Sequence, residues 1–137
     1  MNLIKKLMTP KKETYPPLST EGQLWNKFIE KLCDKELSQL TPFQRSVVIL
    51  FQYDAQVNMN GHSGFFECYP FIDAEEVVTS LSTIGADMYI DNFKAAYQLG
   101  EWDDHVDTDH TFYQLQPPLG QLLMEYVALH ADELGLN

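Results

Sequence analysis

Apolar side chains recur at helical spacing in five segments of this chain, and prolines or glycines separate the segments. In the first segment, Leu24, Phe28 and Leu32 follow one another at intervals of four residues, which makes one face of a helix apolar. The alternation of apolar and polar residues that is typical of strands does not extend over a useful length. This pattern predicts an all-α, single-domain, multi-helix orthogonal bundle with helices at 20–37, 41–58, 73–84, 86–99 and 117–131.

The second predicted helix has the clearest local signals. Thr41 is a favourable N-cap residue, Pro42 suits the first helical position and Gln44 completes a capping box. The helix is expected to end near Asn58–Gly61, because Asn and Gly tolerate the positive φ with which many helices end. The aromatic-rich segment Gly61–Pro70 is therefore predicted to be a compact linker.

The chain has 137 residues, of which 45% are hydrophobic, and this is enough for a packed core in one domain. Residues 1–18 contain three prolines and are predicted to form an N-terminal arm, whereas residues 19–137 form the helical domain. The fourth helix is expected to bury Met88, Ile90, Phe93, Ala96 and Tyr97. The residues predicted to belong to the core are Phe28, Leu32, Val47, Phe51, Leu81, Phe93, Leu122 and Tyr126.

Charge is distributed unevenly along the chain, whose net formal charge is −11. Residues 1–36 contain seven lysines and five acidic residues. Residues 37–137 contain fifteen acidic residues and two basic ones, Arg45 and Lys94, which gives a net charge of −13. Such a surface disfavours direct binding to nucleic acid or to an anionic membrane, and it favours a basic protein as partner. The alternative is that the acidity serves only solubility.

Composition excludes several other classes of protein. The two cysteines, Cys33 and Cys68, are too few for the disulfide framework of a small secreted domain. No signal peptide is recognisable, and no apolar run approaches the roughly 20 residues of a membrane span. We therefore expect a cytoplasmic protein with both thiols reduced and with an inert Cys33 on an apolar helical face.

Two segments carry residue types that could support catalysis. Gly61-His62-Ser63-Gly64-Phe65 begins like a nucleophile elbow, but Phe65 stands where the motif requires glycine and no strand precedes it. A tight turn, in which His62 and Ser63 bond local backbone groups, is predicted instead. The segment Asp103–His110 contains ligand types of calcium, zinc and manganese without the spacing of an EF-hand or zinc motif. We expect a solvated acidic loop, with no metal, no cofactor and no catalytic residue.

Several short motifs occur in an order that is similar to that of a known family. They are Leu40-Thr41-Pro42, Asp54-Ala55-Gln56-Val57-Asn58, Asn60-Gly61, Phe65-Phe66, Leu81-Ser82-Thr83-Ile84-Gly85-Ala86, Asp107-Thr108-Asp109, Phe112-Tyr113-Gln114-Leu115, and Tyr126-Val127 with His130. In this order they resemble, over about residues 40–134, the bacterial family named after an acidic DNA-mimic protein. His62 stands where the family has a second glycine, so the turn is expected to differ in shape. The resemblance implies an all-helical fold and a non-catalytic role, in which the name-giving member occupies the DNA-binding surface of a transcription factor.

Charge and resemblance together predict a non-catalytic acidic protein-binding module, with DNA mimicry toward a basic protein such as a transcription regulator as the leading hypothesis. The alternatives are an immunity-type inhibitor of a basic toxin or nuclease and a metal-dependent enzyme that uses the Asp103–His110 cluster. The sequence leaves a homodimer open. The predicted partner-binding carboxylates form a first group, Glu101, Asp103, Asp104, Asp107 and Asp109, and a second group, Asp73, Glu75, Glu76, Asp87 and Asp91. Neutralising the first group is expected to leave stability unchanged or higher.

Overall fold

A computed structural model describes residues 19–137 of the protein, and the predicted N-terminal arm at 1–18 lies outside the described residues. The described range contains six α-helices and no β-strand, so the predicted all-α fold is confirmed. The helices are α1 (Thr20–Phe28), α2 (Pro42–Cys68), α3 (Ala74–Thr83), α4 (Ile90–Leu99), α5 (Val106–Gln114) and α6 (Leu119–Leu129).

The first predicted helix, 20–37, is divided into two parts. α1 is α-helical, and it continues as a π-helical turn at Ile29–Cys33. Ser19 caps its start, because the Ser19 Oγ accepts a hydrogen bond from the Gly22 N–H at 3.1 Å. A short 3-10 turn at Leu37–Gln39 then leads to α2, and a similar turn at Asp87–Tyr89 leads to α4.

The predicted start of α2 is confirmed, but its predicted end is wrong. The Gln44 N–H donates to Thr41 Oγ1 at 3.2 Å, and the Thr41 N–H donates to Gln44 Oε1 at 3.1 Å, which completes the capping box. Gly61 has a φ of +74°, yet the chain only bends there and continues as helix to Cys68. The segment after Gly61 is therefore mainly helix and not a linker.

α2 is the central helix of the bundle. It contacts α3, α5 and α6, while α1 packs against α6 and α4 packs against both α3 and α5. Glu75 in the first turn of α3 shares a cleft with Lys94 and Gln98 in the last two turns of α4, so α3 and α4 run antiparallel. Within residues 19–137, no helix is long and apolar enough to cross a membrane.

Fewer side chains on the apolar faces of the helices are fully buried than helical spacing predicted. Phe51, Leu122 and Tyr126 pack against the core but are only half-buried. Met88 and Tyr97 are exposed, so the predicted burial of these two residues is wrong. Helical periodicity indicates the direction of an apolar face, whereas the neighbouring helices decide how much of its width is covered. The predicted core residues that are buried are Phe28, Leu32, Val47, Leu81 and Phe93.

Both cysteines are free thiols. Cys33 is half-buried, and burial raises its pKa to about 12, so almost no reactive thiolate forms at neutral pH. This agrees with the inert role predicted for Cys33. Cys68 is exposed at the end of α2.

Candidate protein-interaction surface

The ten carboxylates predicted to bind a partner all belong to the described part of the chain, and seven of them are exposed: Asp73, Glu75, Asp87, Asp91, Glu101, Asp104 and Asp107. The other three, Glu76, Asp103 and Asp109, are partly buried. Each of these three bonds another group of the protein. They therefore support the fold in addition to contributing negative charge.

The loop between α4 and α5 holds its carboxylates against its own backbone. Asp103 Oδ1 accepts a hydrogen bond from the His105 N–H at 2.7 Å, and Asp104 Oδ1 accepts one from the Val106 N–H at 3.2 Å. His105 has a φ of 57°, and its buried ring donates from Nε2 to the Gly100 carbonyl at 2.8 Å. These bonds start α5 at Val106, inside the segment predicted to be a solvated loop.

Asp109 faces inward, toward the bend in α2. Its Oδ1 accepts a hydrogen bond from the His62 backbone N–H at 2.8 Å and lies 2.6 Å from Nδ1 of the His62 ring. The His62 N–H is the first donor after the bend at Gly61, so Asp109 caps the second half of α2 from another helix. Gly61 is required here because a Cβ atom would overlap Asp109 Oδ2 and because φ is positive.

A buried hydrogen-bond network extends from Asp109 through His62 to Tyr53. The Tyr53 hydroxyl lies 2.7 Å from His62 Nε2. With Nδ1–H donating to Asp109, Nε2 is free to accept a hydrogen bond from Tyr53. Burial lowers the pKa of His62, although Asp109 acts in the opposite direction, and burial raises the pKa of Tyr53. Both side chains are therefore neutral at pH 7.

This hydrogen-bond network has a structural role, because the His62 and Tyr53 side chains have no exposed surface and a substrate could not reach them. The predicted local turn at His62 and Ser63 is wrong. His62 belongs to a helix, and its partner stands 47 residues away in the sequence. Only the tertiary packing of α5 on α2 brings His62 and Asp109 together.

The acidic segment Asp103–His110 does not converge on one point. Asp103 accepts a backbone hydrogen bond, His105 donates to a carbonyl and Asp109 bonds His62. Nowhere in residues 19–137 do three His, Cys, Asp or Glu side chains stand close enough to hold a metal ion. The segment thus offers no preformed site for the metal-dependent alternative.

The second predicted group of carboxylates is divided between the two ends of the α3–α4 pair. Its members at the start of α3, here called the α3 carboxylates, are Asp73, Glu75 and Glu76. Their helix turn lies beside the last two turns of α4, and the three carboxylates line one shallow cavity of their own. Asp91 lies in the first turn of α4, seven residues before Gln98 and hence about 10 Å away along the axis. Asp87 precedes Asp91 at that same end.

The two basic residues of the acidic region differ in their contacts. Arg45 Nε lies 2.5 Å from Glu76 Oε1, and its Nη2 lies 3.3 Å from Glu76 Oε2, which makes a bidentate ion pair. This hydrogen-bonded pairing raises the pKa of Arg45. Lys94 is exposed and, among the described residues, has no ion-pair partner within 4.0 Å. The negative charge of residues 37–137 is therefore scarcely compensated at the surface.

Sequence reasoning missed an aromatic groove between the second half of α2 and the end of α4. The groove has a volume of about 360 Å³, and Glu101 stands at its edge. Glu101 also lines an adjoining cavity of about 400 Å³, together with Ser63, Glu67 and Trp102. The aromatic walls of the groove are Phe65, Phe66, Tyr69, Phe93 and Tyr97. Helical spacing assigned Phe93 and Tyr97 to the core, and the other three rings were predicted to lie in the compact linker Gly61–Pro70. No pattern in the sequence shows that part of this face stays uncovered.

Comparison with known proteins gives one informative result. A family model described as DMP19-like protein matches residues 38–133, which is more than half of the chain. This confirms the resemblance predicted for about residues 40–134. Neither the curated proteins nor the solved structures give a match.

Proposed function

The chain belongs to the DMP19-like protein family, and from this membership we propose that it is a non-catalytic acidic module that occupies the DNA-binding surface of a basic protein such as a transcription regulator. The family name is consistent with a DNA-mimic protein and favours a role without catalysis. The observation that carries the proposal is the uncompensated charge. Seven of the ten predicted carboxylates are exposed, and one of the two basic residues after position 36 is already paired with Glu76.

The density of this charge is of the order that mimicry requires. A domain of 137 residues has a radius of gyration of about 14 Å and spans about 37 Å. Duplex DNA of that length carries about 22 phosphate charges, of which a protein on one side meets about half. Residues 37–137 contain fifteen acidic residues, so their charge approaches this density only on a face where most of them gather.

The geometry of the loop before α5 supports binding without a large loss of entropy. Asp103 and Asp104 each bond a backbone N–H two residues ahead, which restricts their side chains before any partner arrives. Binding groups that are already ordered lose less conformational freedom in a complex. The loop carboxylates are therefore suited to present fixed negative charge, as phosphates do.

Competition with DNA tests the proposal. The full chain is used to capture basic proteins from a lysate at low salt, and each captured DNA-binding protein is purified. Its complex with a fluorescent duplex is then titrated with the chain while anisotropy is followed. We expect stoichiometric release of the duplex, with an association rate that falls steeply as salt screens the exposed charges. Release of DNA from none of the captured proteins would contradict the proposal.

A pair of charge-matched variants makes the test specific. The loop variant carries Glu101→Gln, Asp104→Asn and Asp107→Asn; Asp109 is left intact because it caps α2. The control variant removes the same number of exposed charges in α6 and in the segment that follows it, with Glu125→Gln, Asp132→Asn and Glu133→Gln. We expect the loop variant to displace DNA more weakly than the control at equal thermal stability. Equal displacement by the two variants would show that the loop carboxylates are not part of the binding surface.

A further inference from the structure

The rings that line the aromatic groove differ in exposure: Phe65 and Phe93 are buried, Phe66 and Tyr69 are partly buried, and Tyr97 is exposed. Phe66 and Tyr97 stand 6.1 Å apart between ring centroids, and Phe93 stacks with Tyr97 at 6.3 Å. Tyr97 is nevertheless 56% exposed, and Trp102 beside the groove is 94% exposed. Tyr97 and Trp102 line two cavities that share Glu101, and exposed large apolar side chains that form a contiguous patch typically mark an interaction site.

The rim of the groove is acidic. Glu101 lines the groove, and Glu67 and Glu101 both line the adjoining cavity. Both side chains are exposed, and within the described part of the chain neither carboxylate has a hydrogen-bond or ion-pair partner. The neighbouring cleft beside Tyr97 contains one acidic and one basic side chain, Glu75 and Lys94, so the net negative charge near the groove comes from Glu67 and Glu101. Aromatic faces bordered by unpaired carboxylates attract a cation.

We propose that this groove is a site for an arginine side chain of the kind that a DNA-binding partner presents. A planar guanidinium stacks on aromatic faces and bonds a carboxylate through two donors, whereas a lysine ammonium is a compact and strongly hydrated point charge. A volume of about 360 Å³ is at the small end of ligand cavities, which suits one long side chain. The kind of partner follows from the proposed function, but the chemistry of the groove does not depend on it.

The two tryptophans of the chain allow a direct test by nuclear magnetic resonance. The probes are N-acetyl-arginine amide, N-acetyl-lysine amide and N-acetyl-citrulline amide, the last being a neutral analogue of arginine. We expect arginine amide to shift the Trp102 indole N–H and the backbone amides of Gly100 and Glu101. The chemical shift of the Trp25 indole N–H should not change, because Trp25 packs on Phe28 in the core. Binding should be tightest for the arginine probe and weakest for the citrulline probe.

Two substitutions and a matched control complete the test. Glu101→Gln removes the carboxylate at the rim, and Tyr97→Leu removes an aromatic face while keeping apolar packing. Each should weaken binding of the arginine probe about two- to fivefold, as loss of one partly exposed ion pair or cation–π contact implies. Glu125→Gln, on α6, should leave binding unchanged. An unshifted Trp25 indole in each variant shows that the core is intact.

The proposal is overturned if the arginine and citrulline probes bind equally, if the shifts lie away from residues 97–102, or if the three variants bind arginine amide alike. Because this titration uses no partner protein, its failure leaves the DNA-competition test standing. Conversely, a chain that displaces no DNA can still bind the arginine probe in the groove.

Discussion

Asp109→Ala is the substitution that most directly tests how the acidic surface is tied to the fold. The sequence placed Asp109 among the exposed partner-binding carboxylates, whose neutralisation should not lower stability. In the structure, the Asp109 carboxylate instead caps the second half of α2 and bonds the ring of His62. The alanine variant removes both bonds and leaves two donors of the buried His62 without a partner.

The size of the effect follows from these two contacts. Hydrogen bonds to a charged group contribute about 1.5–3 kcal/mol each, so the pair contributes about 3–6 kcal/mol. The Asp109 side chain is 17% exposed, so water can reach part of the vacated space and the lower end applies. We expect a loss of about 3 kcal/mol in the free energy of unfolding, a large share of the 5–15 kcal/mol of a typical domain. Asp109→Asn keeps an acceptor oxygen and should lose about half as much.

Urea denaturation followed by far-UV circular dichroism measures this loss, with Asp107→Ala as the control. Asp107 lies on the same helix but is exposed, and no hydrogen bond or ion pair of its side chain occurs among the described residues. Its removal should change stability by less than about 1 kcal/mol. If the two alanine variants unfold at the same urea concentration with the same slope, the inward role assigned to Asp109 is wrong.

Three further predictions concern the bend and the core. Gly61→Ala should cost at least about 2 kcal/mol more than Gly85→Ala, because both glycines have positive φ but only at Gly61 would a Cβ atom meet another side chain; thermal unfolding of the two variants decides this. Burial lowers the pKa of His62 from its ordinary value of about 6.5, so neutral His62 contributes fully to the free energy of unfolding above about pH 6.5. This contribution falls as pH decreases through that value, by at most about 1.4 kcal/mol per pH unit. Urea denaturation across this range should show a weaker pH dependence of stability in His62→Gln. Phe28→Ala should lower the free energy of unfolding by about 3–5 kcal/mol. Phe51 is half-buried, so Phe51→Ala should lower it clearly less, and urea denaturation measures both losses.

The candidate surface was only partly accessible to sequence reasoning. The unequal distribution of charge is a property of composition, so the acidic character of residues 37–137 follows without a structure. The roles of individual carboxylates do not follow. Asp107 and Asp109 are two positions apart on one helix, yet one is exposed and the other bonds a helix that lies far away in the sequence. The aromatic groove was missed because Tyr97 and Phe93 have the same helical spacing whether or not a neighbour covers them.

Elements that depend on near neighbours along the chain could be predicted from the order of residues alone. The capping box at Thr41 and Gln44 and the all-α class rest on interactions over three or four residues, and these are visible in the order of side chains. The bend at Gly61 could not be determined in this way. A glycine with positive φ ends a helix or only bends it, depending on what satisfies the donors that follow. In this protein the packing of α5 on α2 supplies the acceptor: Asp109 accepts a hydrogen bond from the His62 N–H, and α2 continues to Cys68.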